Sequence, residues 1–200
     1  MKFTIATKQH MTQFFSQDGA VFPATVLKAE PMTVVSVKNK ATDGYDAIQV
    51  GSGVQKKERV SKAVLGHTKG SAYKVIKEFR AEGGDLAPGA TIACDIFNVG
   101  DVVTLSSVSK GKGFQGGMKR WGMSGGWGQH GQKHSHREIG SIGSTGQQRV
   151  NKGKRMPGRM GSDRITLKKV TILDVDATNG VILVKGAVAG KRGTVVEIKG

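Results

Sequence analysis

Residues 109–162, SKGKGFQGGMKRWGMSGGWGQHGQKHSHREIGSIGSTGQQRVNKGKRMPGRMGS, hold 11 of the chain's 31 lysines and arginines against one acid, Glu138. They also hold 15 of its 30 glycines, both tryptophans and three of its five histidines. Only Ile139, Ile142, Thr145 and Val150 are β-branched there, and glycine interrupts every potential helix. A segment of this kind buries too little apolar surface to offset the entropy lost on ordering. It must take its order from a polyanion.

The remaining 146 residues carry 20 bases and 14 acids, a mild +6 out of the total +16. Their apolar residues fall in short runs, enough to close one small core. The charge is therefore local. A basic block rich in glycine and interleaved with Trp, His and Met points to nucleic acid. Lysine and arginine neutralise phosphates, while tryptophan and histidine stack on splayed bases. A solvated linker is the bland alternative, but linkers seldom concentrate all of a chain's tryptophans. The single cysteine, Cys94, allows no internal disulfide, fits a reducing compartment, and reads as a packed core thiol within TIACDIF. The start of the chain shows no signal-peptide pattern, and no run approaches the ~18 apolar residues of a membrane span. A cytoplasmic protein without membrane contact is expected.

The flanks of the basic block read as strands. Residues 20–29, 32–37, 46–50, 91–97, 101–108, 164–175, 181–186 and 194–198 are short and rich in Val, Ile and Thr. Asn179-Gly180 suits a type I′ hairpin turn, which needs positive φ at both residues. Helix signals are weak: residues 55–65 suit a short helix ended by Gly66, and the apolar face of AYKVIKEF serves either state. Many short strands with few helices argue for a mainly β fold, a closed antiparallel barrel from which the basic block leaves as a long irregular extension.

Three enzyme-like patterns fail. GKGFQGGMKR (111–120) has no Gly-Lys-Ser/Thr ending, so it is no Walker loop. His130, His134 and His136 are close in sequence, but no cysteine and only Glu138 accompany them, so donors to RNA are favoured over a metal site. The serines lack a carboxylate partner for a triad. No catalytic residue, cofactor or metal is expected.

The ordered strings SKGKGFQGGMKRW (109–121), HGQKHSHR (130–137), GSIGS (140–144) and KGKRMPGRMGSDRITL (152–167) are far more specific. Together they closely resemble the bacterial form of the universal large-subunit ribosomal protein three, the L-three family. HMTQFFSQDGAVFPATVL (10–27), DGYDAIQVG (43–51) and LVKGAVAG (183–190) extend the resemblance over essentially the whole chain. It implies a translation-factor-type β-barrel, residues 1–108 and 163–200, with a small inserted α+β subdomain near 56–89. It also implies that residues 109–162 form an extension penetrating large-subunit (23S-type) rRNA towards the peptidyl-transferase centre, in a protein that binds early and nucleates subunit assembly. Neighbouring large-subunit proteins are implied partners, and a free homo-oligomer is not.

On this reading Lys110, Lys112, Lys119, Arg120, Arg137, Arg149, Lys152, Lys154, Arg155 and Arg159 contact phosphates. Trp121, Trp127, His130, His134 and His136 stack on rRNA or hydrogen-bond to it. Ala6 and His10 stand where the family commonly has glycine, and GSIGSTGQQRVNKGK is about one residue shorter than the usual stretch. Some relatives carry a methylated glutamine at this tip, for which Gln147 is the nearest candidate. A free-standing RNA chaperone and a histidine-based nuclease are the rival readings, separable by stoichiometric co-sedimentation with large subunits and by elemental analysis of RNA-free protein.

Overall fold

The computed structural model describes residues 2–80 and 86–200. The strands β1 (Phe3–Phe15), β2 (Val21–Ala29) and β3 (Met32–Lys38) lead through the four-residue helix α1 (Lys40–Asp43) to β4 (Ala47–Val54). The helix α2 (Lys62–His67) then precedes β5 (Tyr73–Phe79), β6 (Thr91–Ile92) and β7 (Val102–Val108). The basic block contributes β8 (Gly113–Gln115), α3 (Gly117–Trp121) and β9 (Gly158–Met160). The chain closes with β10 (Arg164–Asp176), β11 (Val181–Lys185) and β12 (Val195–Lys199). The fold is mainly β, as expected. It separates into two units, residues 1–108 with 164–200, and residues 109–163.

In the first unit six antiparallel strands pair in the order β1-β12-β7-β10-β11-β2, and β2 returns to β1. The ring is closed, which leaves no strand edge open to another chain. Bulges help to bend the strands. The β7–β10 register slips between Leu167 and Val170, and Lys169 takes a φ of 58° there. Inside the ring Leu27, Val103, Leu105, Ile172, Ile182, Val184, Val196 and Ile198 are buried. Ile182 and Val184 on β11 and Val196 and Ile198 on β12 follow the period of two that points alternate residues inward.

A second sheet, β5-β4-β3-β6, packs against β1. Phe3 and Ile5 bury with Met32, Val34, Ile48, Val50 and Phe79, whereas Ala6 belongs to the core of the ring. One strand thus walls two cores. The rings of Phe3 and Phe79 stack with centroids 4.5 Å apart. The Tyr73 ring lies over Gly51 so closely that no Cβ fits there. Glu197 on β12 accepts ion pairs from Arg164 on β10 and from Lys77 on β5 at 3.0 Å. Both cations are well exposed, so this bridge orients more than it stabilises.

Several local expectations change. Of residues 91–97 only Thr91–Ile92 are strand, and Cys94–Ile96 form a 3-10 turn that lets Cys94 and Phe97 both enter the core of the ring. Cys94 is a buried thiol, and burial raises its pKa. In the 55–65 region a 3-10 turn (Lys57–Arg59) precedes α2, which Ser61 caps by accepting the Val64 N–H and which runs through Gly66 to His67. The ambiguous AYKVIKEF is the strand β5, whose Val75 and Phe79 join the second sheet's core while the Tyr73 ring covers Gly51. The second sheet recruits strands from 32 to 92, wider than the 56–89 insertion, of which residues 81–85 lie outside the described residues.

The β10–β11 turn is not type I′: only Gly180 has positive φ, at 64°. Four residues, 177–180, make the turn, and Asp176 organises it. Its carboxylate accepts the Thr178 N–H at 3.0 Å, the Asn179 N–H at 3.1 Å and the Asn179 side-chain amide at 2.7 Å. The Asn179 side chain first, then the backbone N–H groups, hold this carboxyl below the ordinary carboxylate range. A depressed folded-state pKa stabilises above the ordinary value, and that contribution is lost as pH falls through the lowered one.

Two outcomes are expected. Phe79→Ala should cost about 3–5 kcal/mol in urea unfolding, because it empties the shared β1 core; a loss below about 1 kcal/mol would show that the second sheet does not rest on this contact. In a pH titration followed by NMR, Asn179→Ala should move the Asp176 midpoint up towards the ordinary carboxylate value. An unmoved midpoint would assign the shift elsewhere.

Candidate nucleic-acid interface

The second unit is built almost without a core. Among residues 109–163 the only buried residue is Gly117. Order comes instead from backbone pairing at its two ends. Ser109 donates its N–H to the Asp163 carbonyl at 2.9 Å, and Asp163 returns its own N–H to the Ser109 hydroxyl at 3.2 Å. Lys112 donates to the Met160 carbonyl at 2.9 Å, and β8 pairs antiparallel with β9, Phe114 opposite Arg159. Gly161, at φ 79°, lies so close to the Lys110 carbonyl that any Cβ would collide with it.

A helix does form here, against expectation, but it lasts five residues. Gly116 starts α3, and Gly122 ends it in the left-handed region at φ 69°, donating to the Met118 carbonyl at 2.8 Å. At its end Arg120 and the Trp121 indole N–H both donate to the Met156 carbonyl, at 2.8 and 2.9 Å. The Arg120 guanidinium lies 4.9 Å and that of Arg155 5.7 Å from the Trp121 ring centroid. This clamp joins the outgoing and returning halves of the extension. A Cβ on Gly117 would meet Ile139 at 2.7 Å and Met123 at 2.8 Å, so the absence of a side chain lets those two apolar groups close over the helix.

The sequence-derived contact residues now have places. Lys110, Lys112, Lys119, Trp127, His130, His134, His136, Arg137, Arg149, Lys152, Lys154, Arg155, Arg159 and Trp121 are exposed, and Arg120 is half-buried. Trp127 is 83% exposed, whereas Trp121 is 41% exposed and engaged in the clamp. Among the described residues no cation of this unit forms a salt bridge; the four bridges lie in the other unit. The three histidines are not gathered: no group of three His, Cys, Asp or Glu side chains suited to a metal occurs among the described residues. Instead the His136 carbonyl accepts the Gly126 N–H at 3.2 Å, and His130 adopts a φ of 55°. Gln147 is exposed and closes a 3-10 turn (Thr145–Gln147), followed by Gln148 at φ 47°.

Two exposed groups escaped the sequence reading. Phe114 is 78% exposed beside Arg159, and Lys133 is exposed like its neighbours. A lone aromatic between lysine and glycine, in KGKGFQGG, was the available signal for the first. Unneutralised cations and uncovered aromatic faces on a unit without a core are the chemistry of a polyanion surface.

The ribosomal protein L3 family profile matches residues 27–180. The chain is 44% identical over 203 residues to the large ribosomal subunit protein uL3 of Geobacter sulfurreducens, covering 99% of this chain and 96% of that protein. The alignment with uL3 of Thermotoga petrophila gives 43% identity over 204 residues, covering 100% and 97%. With uL3 of Fervidobacterium nodosum it gives 44% over 204 residues, covering 100% and 98%. This chain belongs to the ribosomal protein L3 family. Proteins of this family are structural constituents of the large ribosomal subunit and not enzymes. The family blocks at 109–121 and 152–167 supply the paired ends and the clamp of the extension in this L3 protein.

Gly161→Ala should open that paired neck, since positive φ costs an L-residue about 1–2 kcal/mol and the Lys110 carbonyl blocks the new methyl. Trypsin should then cut faster after Lys110 and Lys112, with the melting of the first unit unchanged. Gly146→Ala, where no atom lies within 4 Å and φ is not positive, should cut like the parent. Equal cutting in both variants would remove the neck from the account.

Proposed function

We propose that this L3 protein binds large-subunit rRNA through residues 109–163, joins the subunit early, and helps to nucleate its assembly in the cytoplasm. The observation that carries the reading is a basic extension whose only buried residue is Gly117 and whose cations form no salt bridge among the described residues. A surface of that kind is stabilised by phosphates and stacking faces supplied from outside. On this reading the six-stranded ring serves as the translation-factor-type barrel that the family resemblance implies, and its role is to anchor the extension. β7 ends at Val108 directly opposite Arg164, the first residue of β10, so the extension leaves and re-enters at one cross-strand pair.

Lys110, Lys112, Lys119, Arg120, Arg137, Arg149, Lys152, Lys154, Arg155 and Arg159 neutralise phosphates on this reading. Trp127 and the three histidines meet bases, and Trp121 acts mainly by holding the two halves of the extension together. The part furthest along the chain from the neck approaches the peptidyl-transferase centre, and neighbouring large-subunit proteins complete the set of partners. Gln147 is the candidate for methylation.

Binding to large-subunit rRNA should fall with log[salt] at a slope of several units, about 0.7–0.9 per phosphate neutralised. Replacing Lys152, Lys154 and Arg155 by Gln should lower that slope by roughly 2–3. A slope near one for the intact chain would remove the extension as the main contact. Subunits carrying a chain with residues 122–140 replaced by a short Gly-Ser turn should be defective in late assembly or peptide-bond formation, and normal subunits would contradict the placement of the tip.

A further inference from the structure

The closure that protects the ring does not reach the outer ends of β1 and β2. β12 pairs with residues 3–7 of β1, and β11 with residues 24–28 of β2. Residues 11–15 of β1 lie beyond the ring and have β2 as their only strand partner. They form a two-stranded ribbon with residues 21–25, Phe14 opposite Phe22 and Phe15 opposite Val21. Its turn is fixed: Ser16 donates to the Ala20 carbonyl at 2.8 Å, and Gly19 takes a φ of 78°. Residues 10–13 are all exposed, so here β1 shows both faces to solvent.

The two long edges of the ribbon differ. On β2, Pro23 has no N–H, and its carbonyl accepts the Gly186 N–H at 2.7 Å. On β1, residues 11–15 (MTQFF) contain no proline and no charge. Among the described residues their backbone groups bond only to β2. Natural strand edges are blunted by lysine, proline, a bulge or a covering element. The register slip between Lys8 and Met11 lies at the root, and the edge beyond it carries none of these devices. Such an edge is a template for one more strand.

The side chains point to the same occupant. Alternation puts Met11, Gln13 and Phe15 on one face, with Val21 opposite Phe15. Met11 is 46%, Phe15 67% and Val21 50% exposed. The other face is already engaged: Phe14 and Phe22 are half-buried, and the Lys185 ammonium lies 4.2 Å from the Phe22 ring centroid. Between Lys8 and Lys28 there is no lysine or arginine, and Asp18 is the only charge. Phosphates find no partner on such a surface. An unpaired backbone edge flanked by apolar side chains matches an extended polypeptide instead. We propose that residues 11–15 take up an extended strand of a neighbouring large-subunit protein, whose backbone completes the edge and whose alternate apolar side chains cover Met11, Phe15 and Val21. The site rests on the large-subunit reading and adds a protein contact to it.

The test uses large subunits purified from bacterial cells whose sole L3 protein is this chain, with photoreactive benzoylphenylalanine in place of Gln13. Irradiation should join it to one other subunit protein, within a peptide that is apolar at alternate positions. Met11→Lys combined with Phe15→Lys should abolish that cross-link. Because both side chains are exposed, the double variant should keep the melting of the free chain and its affinity for large-subunit rRNA. A cross-link to rRNA alone, to a second copy of this chain or to nothing would overturn the strand site and leave the rRNA reading standing. A protein cross-link that survives the double substitution would also count against it. Amide exchange of the unsubstituted chain gives an independent readout. Residues 11–15 should exchange alike in the free chain and on rRNA alone, and more slowly in the complete subunit; equal exchange in all three states would rule out strand addition. A chain that neither enters subunits nor binds rRNA would defeat both readings.

Discussion

The absence of a core in residues 109–163 governs how the rest of this protein must work. With Gly117 as its one buried residue, the extension gains almost nothing from the hydrophobic effect, while 11 cations repel one another along it. Glycines relieve the backbone where two segments touch, at Gly161 against Lys110 and at Gly125 against His136. They add no cohesion. A dense array of phosphates and flat bases compensates both deficits together, which is what the proposed rRNA binding supplies.

The first unit solves the opposite problem. Its strands carry enough Val, Ile, Leu and Phe to close two cores, and β1 divides them, with Phe3 and Ile5 on one side and Ala6 on the other. Ring closure removes exposed edges from the six-stranded sheet. The pairing of Val108 with Arg164 then fixes both roots of the extension on adjacent barrel strands. The two units thus rest on different physics, burial in the first and charge in the second.

Much of the body was legible in the chain because its strands are short, β-branched and bounded by glycine. Residues 32–37 and 181–186 became β3 and β11 with ends shifted by a residue. β1 was not read as a strand. Its first half is buried on both faces and its second half is largely exposed, so FTIATKQHMTQFF shows no single period. Cys94 turns out of the strand pattern because a 3-10 turn serves the core better, and Asn179 bonds to Asp176 instead of taking a positive φ. In the extension, residue type announced the charge and the aromatic faces. The Trp121 clamp was invisible, since it joins residues 35 positions apart through a backbone carbonyl. The ribosomal assignment came from the ordered family blocks, which local physics alone does not contain.

Amide hydrogen exchange on the full chain, free and bound to large-subunit rRNA, tests the central claim most directly. The account predicts slow exchange in the barrel strands in both states. Exchange across residues 122–155 should be fast in the free chain and suppressed by at least tenfold on rRNA. Protection of 122–155 equal to that of the barrel without RNA, or no change on binding, would contradict it.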